Sequence, residues 1–362
     1  MSLIHLSPPT HRLSPALLDA PGGFCWWYAD ALDARGNGIV VIWSFGLPFL
    51  PGYASAERQG RPQLPRERPS VNVSIYREGK LDFYLLQEYQ PNDVSWDEDG
   101  TWVFADCRFT SAVIGDDRVL DISLDMPVPA STERFTATAK IVGRARTQGP
   151  GEVANPVHDW SPLAGPSRAT VTAQHGARKW QISGRGYHDR NGGNIGMHAQ
   201  GFERWLWGRV PFEGFERIYY LSWPHAGEPQ FYGLDVLADG TTQHAPPLEV
   251  ALGPTGRSYT GPVYPKSLTL TANGEPWLEI QTRHVVDEGP FYMRFMVSGK
   301  AAGQTALGFG ELVLPDAIDT DLMRPLVKMR VHHTARPNSM WLPLFTGPRD
   351  GRVSRLVSSW LG

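Results

Sequence analysis

Val71-Asn72-Val73-Ser74-Ile75-Tyr76 decides how this chain is read. β-Branched residues alternate with Asn, Ser and Tyr, the period of two expected of a strand with unlike faces. Upstream, Phe24-Cys25-Trp26-Trp27-Tyr28-Ala29-Asp30-Ala31 and the apolar run Ile39 to Phe45 flank Gly36-Asn37-Gly38, which predicts two strands joined by a tight turn. Downstream, strand patterns recur roughly every ten residues, as in a meander or barrel: Leu81 to Tyr89, Thr101 to Phe109, Val119 to Leu124, Phe135 to Val142, Ala169 to Gln174 and Lys179 to Tyr187.

After an irregular stretch the pattern resumes over 218–223, 230–237, 267–272, 277–286, 291–297 and 306–313. Helical patterns are confined to 54–59, a turn within 196–210, and 317–329, the last interrupted by Pro325. With 13 Trp, 12 Tyr and 15 Phe beside 38 Gly and 31 Pro, the composition also favours short strands and tight turns. The expected fold is all-β, two β domains with few short helices, divided as 1–197 and 198–362.

The hairpin ending at Tyr187 delivers Gly184-Arg185-Gly186-Tyr187-His188-Asp189-Arg190-Asn191-Gly192-Gly193. Alternation puts Tyr187 and Asp189 on one face and points His188 the other way. Glycine at this density predicts a sharp turn or a close approach by another group. Asp189 is then either a turn residue bonded to a backbone N–H or a carboxylic acid set for chemistry.

Several functions are excluded by what the chain contains. A net charge of −3 with both signs dispersed predicts no nucleic-acid partner. Two cysteines, Cys25 and Cys107, predict free thiols in a reducing compartment. The proline-broken N-terminus lacks the apolar core of a signal peptide, no run has the roughly 18 apolar residues of a span, and a cytoplasmic protein is expected. Arg58, Arg61, Arg66 and Arg68 lie among prolines and predict a solvated basic loop. Scattered histidines predict no metal site, and Gly184-Arg185-Gly186 and Gly308-Phe309-Gly310 lack the third glycine and the helix of a dinucleotide site.

Seven segments occur in the order found in the carotenoid 1,2-hydratase (hydroxyneurosporene synthase) family, which the chain resembles over nearly its whole length. They are Trp27-Tyr28-Ala29-Asp30-Ala31, Val71 to Tyr76, Ser95-Trp96-Asp97, His158-Asp159-Trp160-Ser161-Pro162, Gly186 to Asn191, Gly201 to Trp207, and Gly289-Pro290-Phe291-Tyr292-Met293-Arg294. The resemblance implies a pair of lipocalin-like β-barrel domains and a hydro-lyase that adds water to the terminal double bond of an acyclic carotenoid or related isoprenoid, without a cofactor. It makes Asp189 the proton donor, with Tyr187 and Trp160 facing the cation and His158 supporting the acid. Its substrate would live in a bilayer, so peripheral membrane contact is expected.

His188 departs from the family, where an aliphatic residue often stands. That departure leaves the substrate open, with a terpenoid cyclase using the same acid and a cycloaddition catalyst as alternatives; a lipocalin-like lipid carrier, whose apolar cavity only holds a ligand, is a further one. Protonating an alkene needs a carboxylic acid that keeps its proton at neutral pH, and burial among aromatics lifts an Asp above its usual value of about 3.9. Aromatic faces then stabilise the cation by about 0.5 to 2 kcal/mol each. Besides the four named residues, Trp27, Tyr28, His188, Asn191, Trp205, Trp207, Phe291 and Tyr292 are the expected substrate contacts.

Overall fold

The computed structural model describes residues 4–12, 14–97, 99–147 and 157–361. Part of the irregular connection expected over 147–166 therefore falls outside the described residues. The chain is all-β, two lipocalin-like β-barrel domains built from curled antiparallel sheets. Among the described residues the α-helices run only four to ten residues.

In the first sheet, Lys80–Glu88, Pro69–Arg77, Gly38–Phe45 and Phe24–Leu32 lie side by side in that order. Within Arg178–Gly193, the residues from Arg185 onward pair with Phe24–Leu32. The sheet continues through Ser167–His175, Arg134–Arg144, Asp117–Pro127 and Cys107–Ile114. The second sheet is centred on Phe215–Pro224, Phe202–Pro211, Gln304–Val313 and Tyr292–Ala301.

The strand Arg178–Gly193 spans sixteen residues and runs straight through the glycine-rich motif, where a turn was one of the expected readings. Its glycines answer to close approach: a Cβ on Gly186 would meet Ile141 Cγ2 at 2.8 Å, and one on Gly193 would meet Phe24 at the same distance. The strand's outer edge changes partner along the way. Residues up to Gly186 pair with Ser167–His175, and from Asp189 onward the partner is His158–Pro162, with Trp160 opposite Asn191.

Alternation along Phe24–Leu32 and Arg178–Gly193 separates two cores. Trp27, Ala29 and Ala31 face the inside of the first barrel, with Trp43, Trp102 and Phe109. Trp26, Tyr28 and Tyr187 face outward and pack with Trp205, Trp207, Tyr220 and Phe309 of the second sheet. A third core fills the second barrel around Leu221, Leu270 and Phe295.

Several expectations change. Thr101 to Phe109 is a hairpin of Thr101–Phe104 and Cys107–Ile114, turned at Ala105 with φ +51°, a left-handed residue that no glycine marks in the sequence. Val331–His333 and Gly347–Pro348 add to the edge strand Lys80–Glu88 of the first sheet, so the end of the chain expected in the second domain returns to the first. The helix expected over 317–329 is reduced to Arg324–Lys328, and the longest helix, Arg352–Leu361, was not expected. That helix leaves Val353, Val357 and Trp360 exposed beside Trp341. Arg68 is no loop cation: it is buried and ion-paired to Glu88. Cys25 and Cys107 are both buried free thiols. No helix of the described residues is long and apolar enough to cross a membrane.

Candidate active site

Asp189 opens into the seam between the two sheets. The strand Arg178–Gly193 carries Tyr187, Asp189 and Asn191 on one face at a spacing of two, and His158–Pro162 adds His158 and Trp160 on the same side. The carboxyl is 2 % exposed, and each of its oxygens accepts from a named donor. Oδ2 accepts from Trp160 Nε1 at 3.0 Å and Tyr187 Oη at 2.9 Å. Oδ1 accepts from Asn191 Nδ2 at 3.0 Å.

Burial pushes the Asp189 carboxyl up to about 8; the Trp160 and Tyr187 donors pull the other way, and the charges of Glu311 and Asp30 add to the rise. The acid is therefore protonated at neutral pH, while its conjugate base has hydrogen bonds waiting. A group that is both neutral and supported after ionisation can act as a proton donor in an apolar site.

His158 is fully buried, and its hydrogen-bond partners are Asn191, Tyr220 and Gln200, not Asp189. Its Nε2 lies 3.2 Å from Asn191 Oδ1 and 3.3 Å from Tyr220 Oη, and its Nδ1 lies 3.2 Å from Gln200 Oε1. Burial lowers its basicity, against the Asn191 and Gln200 contacts. The hydrogen-bonded link from His158 to Asp189 therefore runs through Asn191.

Asp189 and Asn191 form one wall of a narrow cavity of about 20 Å³, facing Trp205, Trp207 and Tyr220 of the second sheet. Trp26, Tyr28 and Glu311 complete it. That space is of the order that one water molecule needs. The rings form two sets: Tyr28 and Trp207 have centroids 5.4 Å apart and Tyr187 and Trp207 5.7 Å, while Trp205 and Tyr220 are 5.5 Å apart and Trp160 and Tyr220 5.7 Å.

Beneath the aromatics the two sheets are tied by charge. Arg209, fully buried in the second sheet, donates Nε–H to Asp30 Oδ2 of the first at 3.2 Å and Nη1–H to Glu216 Oε1 at 3.2 Å. Tyr28 Oη donates to the same Asp30 oxygen at 2.9 Å. Glu311 accepts from Arg294 Nε at 2.9 Å and Tyr292 Oη at 2.6 Å.

Of the residues proposed from sequence, the structure brings together Asp189, Tyr187, Trp160, His158, Asn191, Tyr28, Trp205 and Trp207. Phe291 and Tyr292 line a neighbouring apolar cavity of about 70 Å³ with Phe49 and Leu47; Tyr292 reaches the acid's cavity only through Glu311. Trp27 and His188 lie on the far side of the sheet. Trp27 stacks with Trp43 at 6.0 Å inside the first barrel, and His188 stacks on Trp43 at 5.6 Å. As expected substrate contacts they are corrected: strand alternation turns both away from Asp189. Sequence reading missed Trp26, Gln200, Tyr220 and Glu311. Trp26 was within reach, since it shares parity with Tyr28. Gln200 lies just after a 3₁₀ turn and carried no periodic signal.

The chain is a lipocalin-like β protein with a buried, aromatic-lined carboxyl at the seam of its two sheets. The chain belongs to the carotenoid hydratase CrtC family, whose model matches residues 41–339. It is 26% identical to a hydroxyneurosporene dehydrogenase of Chlorobaculum tepidum, over 94% of this chain and 95% of that protein. It is also 26% identical to an acyclic carotenoid 1,2-hydratase of Thiocapsa roseopersicina, over 86% of this chain and 73% of that one. Among solved structures, the AttH protein NE1406 of Nitrosomonas europaea superposes with a TM-score of 0.60 at 14% identity, covering 82% of this chain and 93% of its own, a likeness of fold alone. The chain is thus an enzyme of the hydro-lyase class.

Proposed function

We propose that the protein hydrates a terminal double bond of an acyclic carotenoid or related isoprenoid, through a tertiary carbocation and without a cofactor. The alkene π pair takes the proton of Asp189, forming a C–H bond and leaving the positive charge on the more substituted carbon. Tyr28, Tyr187, Trp160, Trp207 and Tyr220 supply aromatic faces to that charge, and each neutral ring leaves it unquenched. A water oxygen then forms the C–O bond, and the proton it releases returns to the Asp189 carboxylate. The sum is alkene plus water to alcohol, with no change of oxidation state.

The observation that carries the reading is the Asp189 carboxyl, neutral by burial and yet met by Trp160, Tyr187 and Asn191. The test is incubation with a panel of acyclic isoprenoids and mass analysis of the products. A gain of one water is expected. Asp189→Asn should fold normally and lose turnover by up to about 10⁴-fold, the scale of a general acid. A product of unchanged mass would replace hydration by cyclisation. Ligand bound but unchanged would make the protein a carrier, and turnover indifferent to Asp189→Asn would point to cycloaddition.

A further inference from the structure

Gln200 fixes the protonation pattern of His158. Its side-chain nitrogen donates to two backbone carbonyls, Val157 O at 3.0 Å and Ile195 O at 3.4 Å, so the amide cannot turn without facing oxygen to oxygen. Gln200 Oε1 is thereby held 3.2 Å from His158 Nδ1, and a carbonyl oxygen only accepts. Nδ1 must carry a hydrogen. A neutral imidazole then has a bare Nε2, which needs a donor.

The side-chain amide of Asn191 faces that Nε2 on one side and Asp189 Oδ1 on the other. With Asn191 Oδ1 toward His158, as described above, both ring nitrogens face amide oxygens, which suits an imidazolium beside a carboxylate. A half-turn of the amide exchanges its oxygen and nitrogen in nearly the same places. Asn191 Nδ2 then donates to the bare Nε2, and its Oδ1 faces Asp189 Oδ1, where it needs a proton to accept. Burial of both groups without a charged partner in contact favours this neutral arrangement.

We propose that Gln200, His158 and Asn191 form a one-way hydrogen-bond chain that ends on Asp189 Oδ1 and holds the acid proton there. Asp189 Oδ1–H donates to Asn191, Asn191 to His158, His158 to Gln200, and Gln200 to the backbone at Val157 and Ile195. Oδ2 stays committed to Trp160 and Tyr187, so the transferable proton is confined to one oxygen. Gln200, His158 and Asn191 are positioning residues, and the inference rests on reading Asp189 as the acid.

The other groups facing the pair do not supply this direction. Tyr187 and Trp160 meet only Oδ2. Tyr220 Oη is a second neighbour of His158 Nε2 and suits the same bare nitrogen. Glu311, on the far wall of the cavity, is held by Arg294 and Tyr292, and Asp30 by Arg209 and Tyr28. Asp159 ion-pairs with Arg190. Glu216 is held by Arg209.

Nitrogen NMR of histidine-labelled protein tests the chain without any substrate. His158 is expected to be neutral with its hydrogen on Nδ1 at neutral pH, and Gln200→Leu should release it into a mixture of the two tautomers. An imidazolium, or an Nε2–H tautomer in the wild type, would overturn the proposal even if the enzyme proves to be a hydratase. The second arm is the pH profile of Asn191→Leu. As an acceptor of the acid proton, Asn191 stabilises protonated Asp189, so its loss should move the basic limb of kcat/KM down by about one pH unit. If Asn191 instead donated to a carboxylate, the limb would rise, and a rise or an unmoved limb sinks the chain.

Discussion

Two aromatic cores lie back to back across the strands Phe24–Leu32 and Arg178–Gly193, and each holds a buried histidine. Inside the first barrel, His188 stacks on Trp43, donates Nδ1–H to Tyr28 O at 2.9 Å, and has no partner at Nε2 among the described residues. Across the sheet, His158 has both nitrogens engaged and stands two hydrogen bonds from Asp189. The barrel interior, where a lipocalin-like fold would hold a ligand, is packed by Trp27, Trp43, Trp102 and Phe109. The candidate site lies instead at the seam, where strands of two sheets each contribute a wall.

Paired substitutions at adjacent positions put this difference under the greatest load. Asp189→Asn should abolish turnover by up to about 10⁴-fold and leave the thermal midpoint near the wild type. His188→Asn should do the reverse, lowering stability while kcat stays within a few fold. If His188→Asn instead matches the loss at Asp189, the two faces of the strand act as one site and the distinction fails.

The next effect is on the seam itself. Arg209→Met leaves Asp30 and Glu216 buried without their cation, and a cost of about 3 to 5 kcal/mol is expected by denaturant unfolding. A loss below about 1 kcal/mol would mean that the two sheets do not depend on this ion pair.

The separation of the two cores was partly legible in the sequence. Alternation placed Tyr187 and Asp189 together and His188 apart, and the structure keeps that parity because the strand continues unbroken. The same rule applied to Trp26, Trp27 and Tyr28 would have exchanged Trp27 for Trp26, since only even positions there face the seam. Glycine misled the local reading. At Gly186 and Gly193 it makes room for neighbours and does not mark a turn, a distinction set by residues far along the chain. Gln200, Tyr220 and Glu311 were out of reach because their roles arise from pairing between sheets, which no local period encodes. The return of 331–348 to the first sheet is hidden for the same reason.

A smaller effect separates the histidines by pH. Burial lowers His188 to about 3, with Arg118 and His11 acting in the same direction and the Tyr28 carbonyl opposing. The native state keeps it neutral while the unfolded chain binds a proton below about pH 6.5, so protons favour unfolding. The stability is intact above about pH 6.5 and is lost as the pH falls toward 3. The wild type should lose about 1.4 kcal/mol per pH unit from this group alone, and His188→Leu should flatten the slope by that amount in denaturant melts at stepped pH. An unchanged slope would mean that the ring is already charged, or open to water, in the folded state.

The finest test lies on Asp189 itself, whose two oxygens are held by different neighbours. Tyr187 Oη and Trp160 Nε1 both donate to Oδ2, where they stabilise the carboxylate. Tyr187→Phe removes one such donor and keeps the ring that faces the cation. The acid becomes weaker, so the basic limb of kcat/KM should rise from about 8 by a fraction of a pH unit, with kcat reduced about tenfold. Because Asn191→Leu is expected to move the same limb down, the two variants bracket the wild type only if the oxygens differ in role, one keeping the proton and the other bearing the charge left behind. Limbs that move together would make the carboxyl symmetric, and the barrel face and the seam would then differ in burial and packing but not in how a proton is held.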